Sequence, residues 1–385
     1  MGNFRHNVPP VNPTGREALR AARRVVVKIG TNALTYATGR FNRAHFEALS
    51  EDLLWASQGR ELVVVSSGAI ALGVERLGLP ARPRDIPGKQ ACAAVGQSRL
   101  MQAYEEAFSR ADRRVAQLLL THEDVQDRRR YLNIKHALER LLEAGVIPVI
   151  NENDTVSVDE LKFGDNDTLA GLVCGVVEAD ALIVLSDVEG LYTADPRKDP
   201  SATLLSQVDA ITPELLGTAG GSGSKVGTGG MTTKVRAAAR ATELGIRCVI
   251  TSGSVPGRLR SVLSGESVGT LFETAGSRRS ARTAWIAHAL RSRGRLLVDA
   301  GAREAITRGK RSLLPSGIRA VEGDFGRGDP VDLVDDQGNV FARGLSSYDD
   351  TELRRIAGLK SADIESVLGY RYLDEAVHRD DLAVL

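Results

Sequence analysis

The chain has 385 residues, of which 42% are hydrophobic and 26% charged, with a net charge of +1. That length exceeds what one hydrophobic core ordinarily serves, so two domains are expected, and the near-neutral balance argues against a global field for nucleic acid or a membrane surface. Three cysteines without CxxC spacing, six histidines without an HxxxH pair and no long apolar run argue against a disulfide framework, a transition-metal site and a bilayer span.

Residues 1–24 carry Asn, Pro and Arg and lack the apolar stretch of a secretory signal. They are expected to be an N-terminal tail feeding the first strand, and a cytoplasmic location is expected by elimination. From residue 25, short β-branched runs alternate with segments of helical period. This is the α/β pattern of a largely parallel sheet sandwiched by helices. Strands are expected at 25–29, 62–65, 115–120, 146–150, 181–185 and 248–251. Helices are expected at 69–77, 90–108, 128–144, 168–177 and 231–244, with another on Phe46, Leu49 and Leu53, stopped by Gly59. A hairpin is expected around 156–163 and a polar linker over 273–290. A small β-rich domain is expected over 291–385, where short strand-like runs are separated by Gly, Pro and Asp turns.

In open α/β sheets ligands gather beyond the carboxyl ends of the strands, and polar residues recur there. Lys28 interrupts an apolar strand that Gly30 closes. Either this is an edge strand with the lysine in water, or the lysine meets a phosphate at the strand end beside a glycine that permits close approach. The second reading is preferred. Ser67 and Gly68 follow the next strand, and residues 151–154 (Asn, Glu, Asn, Asp) follow another. The run Gly227, Thr228, Gly229, Gly230, Met231, Thr232, Thr233 and Lys234 opens a helix, where free backbone N–H groups and the helix dipole favour phosphate. No GxxxxGK[ST] loop is present, so a P-loop fold is unsupported. Gly164, Asp165, Asn166 and Asp167 place two carboxylates beside an amide at another helix start. Phosphoryl transfer divides labour in this way, with cations on the spreading charge and acidic or amide groups positioning the nucleophile. A nucleophile that is already a carboxylate needs no general base, which suits the absence of an obvious histidine base.

These motifs together resemble the bacterial glutamate 5-kinases, a branch of the amino-acid kinase family. They are Val-Val-Lys-Ile-Gly-Thr (26–31), Ser-Ser-Gly-Ala-Ile (66–70), Val-Gly-Gln-Ser-Arg-Leu (95–100), Pro-Val-Ile-Asn-Glu-Asn-Asp (148–154), Gly-Asp-Asn-Asp (164–167), Gly-Leu-Tyr-Thr-Ala-Asp-Pro-Arg (190–197) and Gly-Thr-Gly-Gly-Met-Thr-Thr-Lys (227–234). The resemblance runs from about residue 25 onward and implies the amino-acid kinase fold, a kinase domain over 25–272, Mg-ATP as donor and glutamate as acceptor. The product it implies is glutamyl 5-phosphate, the first intermediate of proline synthesis.

Carried over residue by residue, Lys28 and Lys234 would clamp the transferring phosphoryl group and Asp167 would organise them. Ser67, Asp154 and Asn166, with Asp165 beside them, would bind substrate. Lys28, Ser186, Asp187 and residues 228–234 would bind ATP, Ser186 standing where the family often has Thr. The acidic cluster Asp154, Asp165 and Asp167 suits an acceptor with a free amino group better than N-acetylglutamate or UMP. Residues 298–302, 312–318 and 323–329 resemble a PUA domain, for which the resemblance raises an RNA contact near Arg291, Arg293 and Arg295. Asp335, Asp336, Asp349 and Asp350 weigh against that contact, and Arg327, Gly328 and Asp329 read as a β-turn. Feedback inhibition by proline and a homo-oligomer are implied by resemblance alone.

Overall fold

The computed structural model describes residues 15–156, 165–218, 230–274 and 292–385. Two compact units divide the chain, one of residues 1–125 with 135–275 and one of residues 126–134 with 276–385. The expected hairpin and linker, as well as Arg291, Thr228 and Gly229, lie outside the described residues.

The first unit begins with helix α1 (Gly15–Ala21), which corrects the expectation of a tail. Leu19 is fully buried there, and the Arg16 guanidinium donates to the carbonyls of Ser206, Val268 and Gly269 at 2.7–3.1 Å. An apolar anchor and a satisfied fork of donors tie down a segment whose composition alone reads as a loose terminus. There follow β1 (Arg24–Ile29), α2 (Arg43–Ala56), β2 (Glu61–Ser66), α3 (Ala69–Arg76), α4 (Ile86–Ser109) and β3 (Val115–Leu120). After α5 (His122–Gln126) and α6 (Arg128–Glu143), of which residues 126–134 are counted with the other unit, come β4 (Ile147–Glu152), α7 (Asp165–Val176), β5 (Ala181–Ser186), β6 (Gln207–Val208) and α8 (Pro213–Thr218). The unit ends with α9 (Met231–Glu243), β7 (Arg247–Ser252), α10 (Arg258–Leu263) and β8 (Thr270–Phe272).

The strands form one sheet in the order β3-β4-β2-β1-β5-β7-β8-β6. Every pairing is parallel except β7 with β8. β1 therefore lies inside the sheet, with Lys28 beside Val65 of β2 and Val184 of β5. This removes the edge-strand reading of Lys28, which is only 5% exposed. Helix α7 begins three residues before its expected start, which draws Asp167 into its first turn. The helix is buried nearly all round, with Leu169, Ala170, Leu172, Val173, Cys174 and Val176 buried beside Asp167, so the carboxylate starts a helix that runs through the interior. Lys234 shares the buried stripe of α9 with Ala237, Ala238 and Ala241.

Helices α3 and α4 pack at backbone distance because of two glycines. A Cβ on Gly73 would lie 1.8 Å from the carbonyl oxygen of Cys92, and one on Gly96 would lie 1.7 Å from that of Ala69. No side chain can retreat from a backbone clash of that size, so the helix pair sets where its connection, residues 77–85, can run. The cysteines Cys92, Cys174 and Cys248 are free and buried.

The second unit holds β9 (Gly294–Val298), α11 (Ala300–Thr307), β10 (Ile318–Gly323), β11 (Pro330–Val334), β12 (Val340–Leu345), α12 (Asp350–Ile356), α13 (Ile364–Leu368) and β13 (Leu382–Val384). Its sheet runs β10-β9-β11-β12-β13 around a core that includes Leu296, Phe325, Leu333 and Tyr348. The turn over residues 326–329 is closed by Asp329 N–H to the Gly326 carbonyl at 3.2 Å, with Gly328 at φ 81. Acidic neighbours meet the described arginines here: Arg293 lies 3.6 Å from Asp329, and Arg303 lies 3.3 Å from Asp335.

Gly96→Ala is expected to destabilise the first unit by about 1–3 kcal/mol, the usual cost of overpacking. A lower urea midpoint for that unit's unfolding transition checks this; an unchanged midpoint would mean that α3 and α4 can separate freely.

Candidate active site

The carboxyl ends of β1, β2, β4 and β5 meet the starts of α7 and α9 around a cleft of about 990 Å³. Lys28, Ser67, Asn151, Asp154, Asn166, Asp167, Ser186, Asp187 and Lys234 all line it. Residues spread over more than 200 positions of sequence thus reach one cavity, because each ends a strand or opens a helix on the same side of a parallel sheet.

At its floor the Asp167 carboxylate, 1% exposed, lies between two ammonium groups. Lys28 Nζ is 2.5 Å from Oδ1 and Lys234 Nζ is 3.2 Å from Oδ2. The Thr233 hydroxyl donates to Oδ2 at 2.7 Å. Burial by itself raises the Asp167 carboxyl, but the two lysines outweigh it and hold the group down at about 2. Burial also lowers Lys28, and Lys234 acts in the same direction, while Asp167 opposes both. Two lysines around one carboxylate leave an excess of positive charge facing the cleft, the condition for receiving an anion.

A second group of residues is held by amides. Asn166 donates through Nδ2 to Ser67 Oγ and to Asn151 Oδ1, each at 2.9 Å, and Asn151 donates onward to Gln97 Oε1 at 2.9 Å. Gly68, at φ 107, makes the turn that lets Ser67 end its strand facing this network and α3 begin. Asp154 lines the same cleft; its carboxyl is raised to about 6, by burial first and by the neighbouring negative charge of Glu152 second.

Beyond β5, Asp187 accepts from Asn32 Nδ2 at 2.8 Å and from the Ser186 hydroxyl at 2.9 Å. These hydrogen bonds lower its carboxyl although partial burial raises it. Helix α9 opens at Gly230, which has no side chain to cap the free N–H groups of the first turn. Of the expected nucleotide run, Gly230, Met231, Thr232, Thr233 and Lys234 are at this helix start. The Thr233 hydroxyl is turned inward to Asp167. Asp165 opens α7, with its side chain outside the described residues.

Asn151, singled out in the sequence with residues 151–154 but given no role there, lines the cleft, as do Asn32 and Arg82, which no motif pointed to. Asn32 adjoins the motif at residues 26–31, so proximity to a strand end was an available signal for it. Arg82 lies in the connection between α3 and α4 and has no local signature.

Asp167 makes an acid-sensitive contribution to stability. Its folded pKa, about 2, lies below the ordinary carboxyl value of 3.8, so the contribution is complete above the latter and disappears as pH falls toward the former. It is expected to amount to about 2–3 kcal/mol. Asp167→Asn should lower the urea midpoint at neutral pH and flatten its fall between those two pH values; parallel pH curves for the two proteins would rule out the lysine clamp as an electrostatic unit.

Among the described residues no cluster of three His, Cys, Asp or Glu side chains could hold a metal ion by itself, and no helix is long and apolar enough to cross a membrane. The profile of the amino acid kinase family matches residues 23–252, and that of the PUA domain matches residues 294–368. A glutamate 5-kinase of Myxococcus xanthus is 80% identical over 97% of this chain and 99% of its own length. Those of Anaeromyxobacter dehalogenans and Citrifermentans bemidjiense are 53% and 52% identical over 96% of this chain, covering 98% and 100% of their own lengths. With buried lysines on a shared carboxylate at the carboxyl edge of a parallel sheet, and relatives of this identity along nearly the whole chain, the protein belongs to the amino acid kinase family, in its glutamate 5-kinase branch, and carries a C-terminal PUA domain.

Proposed function

We propose that the protein transfers the γ-phosphoryl group of ATP to the side-chain carboxylate of L-glutamate, forming L-glutamyl 5-phosphate in the first step of proline biosynthesis. The observation that carries this reading is the Lys28–Asp167–Lys234 cluster, which shares one cleft with the amide group around Asn166 and with Asp154, Ser186 and Asp187.

In this mechanism Lys28 and Lys234 take up charge that spreads over the transferring phosphoryl oxygens, and Asp167 holds both ammonium groups in place before substrate arrives. Such preorganised donors act where charge develops and need no rearrangement at the moment of reaction. The acceptor carboxylate attacks as an anion, so no group has to remove a proton. Ser67 and Asn166, already hydrogen-bonded to each other, orient the acceptor, and Asp154 takes its ammonium group. Asp165 belongs to the same proposed subsite. The first turn of α9, with Thr228 and Gly229 before it, and Ser186 and Asp187 hold the nucleotide.

Magnesium suits this site as a passenger on the ATP phosphates, since that ion keeps several waters and usually takes only one or two protein carboxylates. Asp187 would be the carboxylate to meet it, because Asp167 is already paired with the lysines. When bound, the ion would neutralise phosphate charge. Feedback inhibition by proline, a homo-oligomeric state, a cytoplasmic location and an RNA contact through the C-terminal domain are further parts of the proposal that rest on the family resemblance.

Incubation with Mg-ATP, hydroxylamine and candidate acceptors should yield an acyl-hydroxamate with glutamate and none with aspartate or N-acetylglutamate. No glutamate-dependent product from protein that still binds ATP would falsify the reading. Lys234→Ala should lower kcat at least about 100-fold, the scale of losing one preorganised donor. If it turns over normally, the clamp is not part of the reaction. Asp154 predicts a pH effect as well: protonation below about pH 6 removes the charge that meets the ammonium, so kcat/KM for glutamate should fall on the acid side of that value. Asp154→Asn should lack this acid limb, and a limb that persists would assign it to another group.

A further inference from the structure

One wall of the cleft is the connection between α3 and α4, which contributes Arg82 between Pro80 and Pro83. Three features hold this connection over the site. The glycine contacts fix the two helices that carry it, the prolines restrict its backbone, and Asp85 accepts from Gly88 N–H at 2.7 Å to cap α4. Arg82 lines the cleft together with Asp154, on the connection after β4, and the two opposite charges attract. Burial weakens the charged form of each, and each opposes that effect in the other.

A positive and a negative group lining one cleft form the complement of an α-amino acid, whose ammonium and carboxylate share one carbon. The lysine cluster deals with the reacting end of the acceptor and cannot also receive its α-carboxylate. A guanidinium suits that role, because its planar fork matches a carboxylate through two parallel hydrogen bonds. We propose that Arg82 binds the α-carboxylate of the acceptor beside Asp154, so that the pair reads the zwitterionic end and makes the site selective for free α-amino acids. This rests on the glutamate-kinase reading and extends it to a residue that none of the family motifs contains.

The test compares wild type, Arg82→Ala, Arg82→Lys and Arg84→Ala, using glutamate as substrate and 4-aminobutyrate, which is glutamate without its α-carboxylate, as competitor. Loss of a charged hydrogen-bond pair is worth roughly a 10- to 100-fold change in affinity. Arg82→Ala should raise KM for glutamate by that factor with kcat within about threefold, and should leave the inhibition constant of 4-aminobutyrate unchanged. Arg82→Lys, which keeps the charge and loses the fork, should fall between. An unchanged KM overturns the proposal. So does an equal weakening of 4-aminobutyrate accompanied by an upward shift of the acid limb, which would mean that Arg82 acts only by setting the charge on Asp154. An equal KM rise in Arg84→Ala would replace a specific contact with a general positive rim, since Arg84 lines the same wall. Failure of wild type to phosphorylate glutamate would sink the underlying reading instead, so the two failures are separable.

Discussion

The fold of the first unit is organised around a carboxylate that water does not reach. Asp167 has to be paired, because a bare carboxylate at 1% exposure would cost several kcal/mol, and it is paired twice, with Lys28 from the central strand and Lys234 from α9. Neither lysine could stay buried alone. The three charges therefore compel β1, α7 and α9 to meet at one point. The buried body of α7 beyond Asp167 and the apolar stripe that continues from Lys234 along α9 make that meeting compatible with an ordinary core. Gly171 of α7 contributes by letting the helices approach, since a Cβ there would stand 3.3 Å from the Ala237 carbonyl oxygen.

Because the cluster is complete before any ligand binds, the proposed chemistry starts from a fixed electrostatic frame. The amide network from Gln97 through Asn151 and Asn166 to Ser67 is built by the same logic, with each polar group satisfying its neighbour. Asp154 differs: its carboxyl is raised, and it lines the cleft with Arg82, whose charge opposes that rise. The site thus combines a rigid floor with a charged wall, and the wall is where selection among acceptors would occur.

Much of this was legible in the residues. The alternation of β-branched runs and helical segments places the strands within a residue or two, since fully buried parallel strands are continuous apolar runs bounded by turn residues. Glycine next to lysine at a strand end, and glycines before a helix ending in lysine, point to phosphate for reasons of backbone access and dipole. Lys28 remained ambiguous because its neighbours in sequence are compatible with an edge strand as well as a central one. Residues 15–21 read as a tail because one buried leucine and one arginine fork are too small a pattern to stand out.

Strand and helix identity, and the residue types at their ends, were determined by the sequence by itself, because they follow from local periodicity and turn chemistry. The meeting of Lys28, Asp167 and Lys234 on one carboxylate was decided by tertiary structure, since strand order and helix packing are long-range. So was the position of Arg82. Nothing in residues 77–85 signals a binding group; the close contact of Gly73 and Gly96 with the facing backbones brings that connection over the cleft, and such a contact exists only once two helices have found each other.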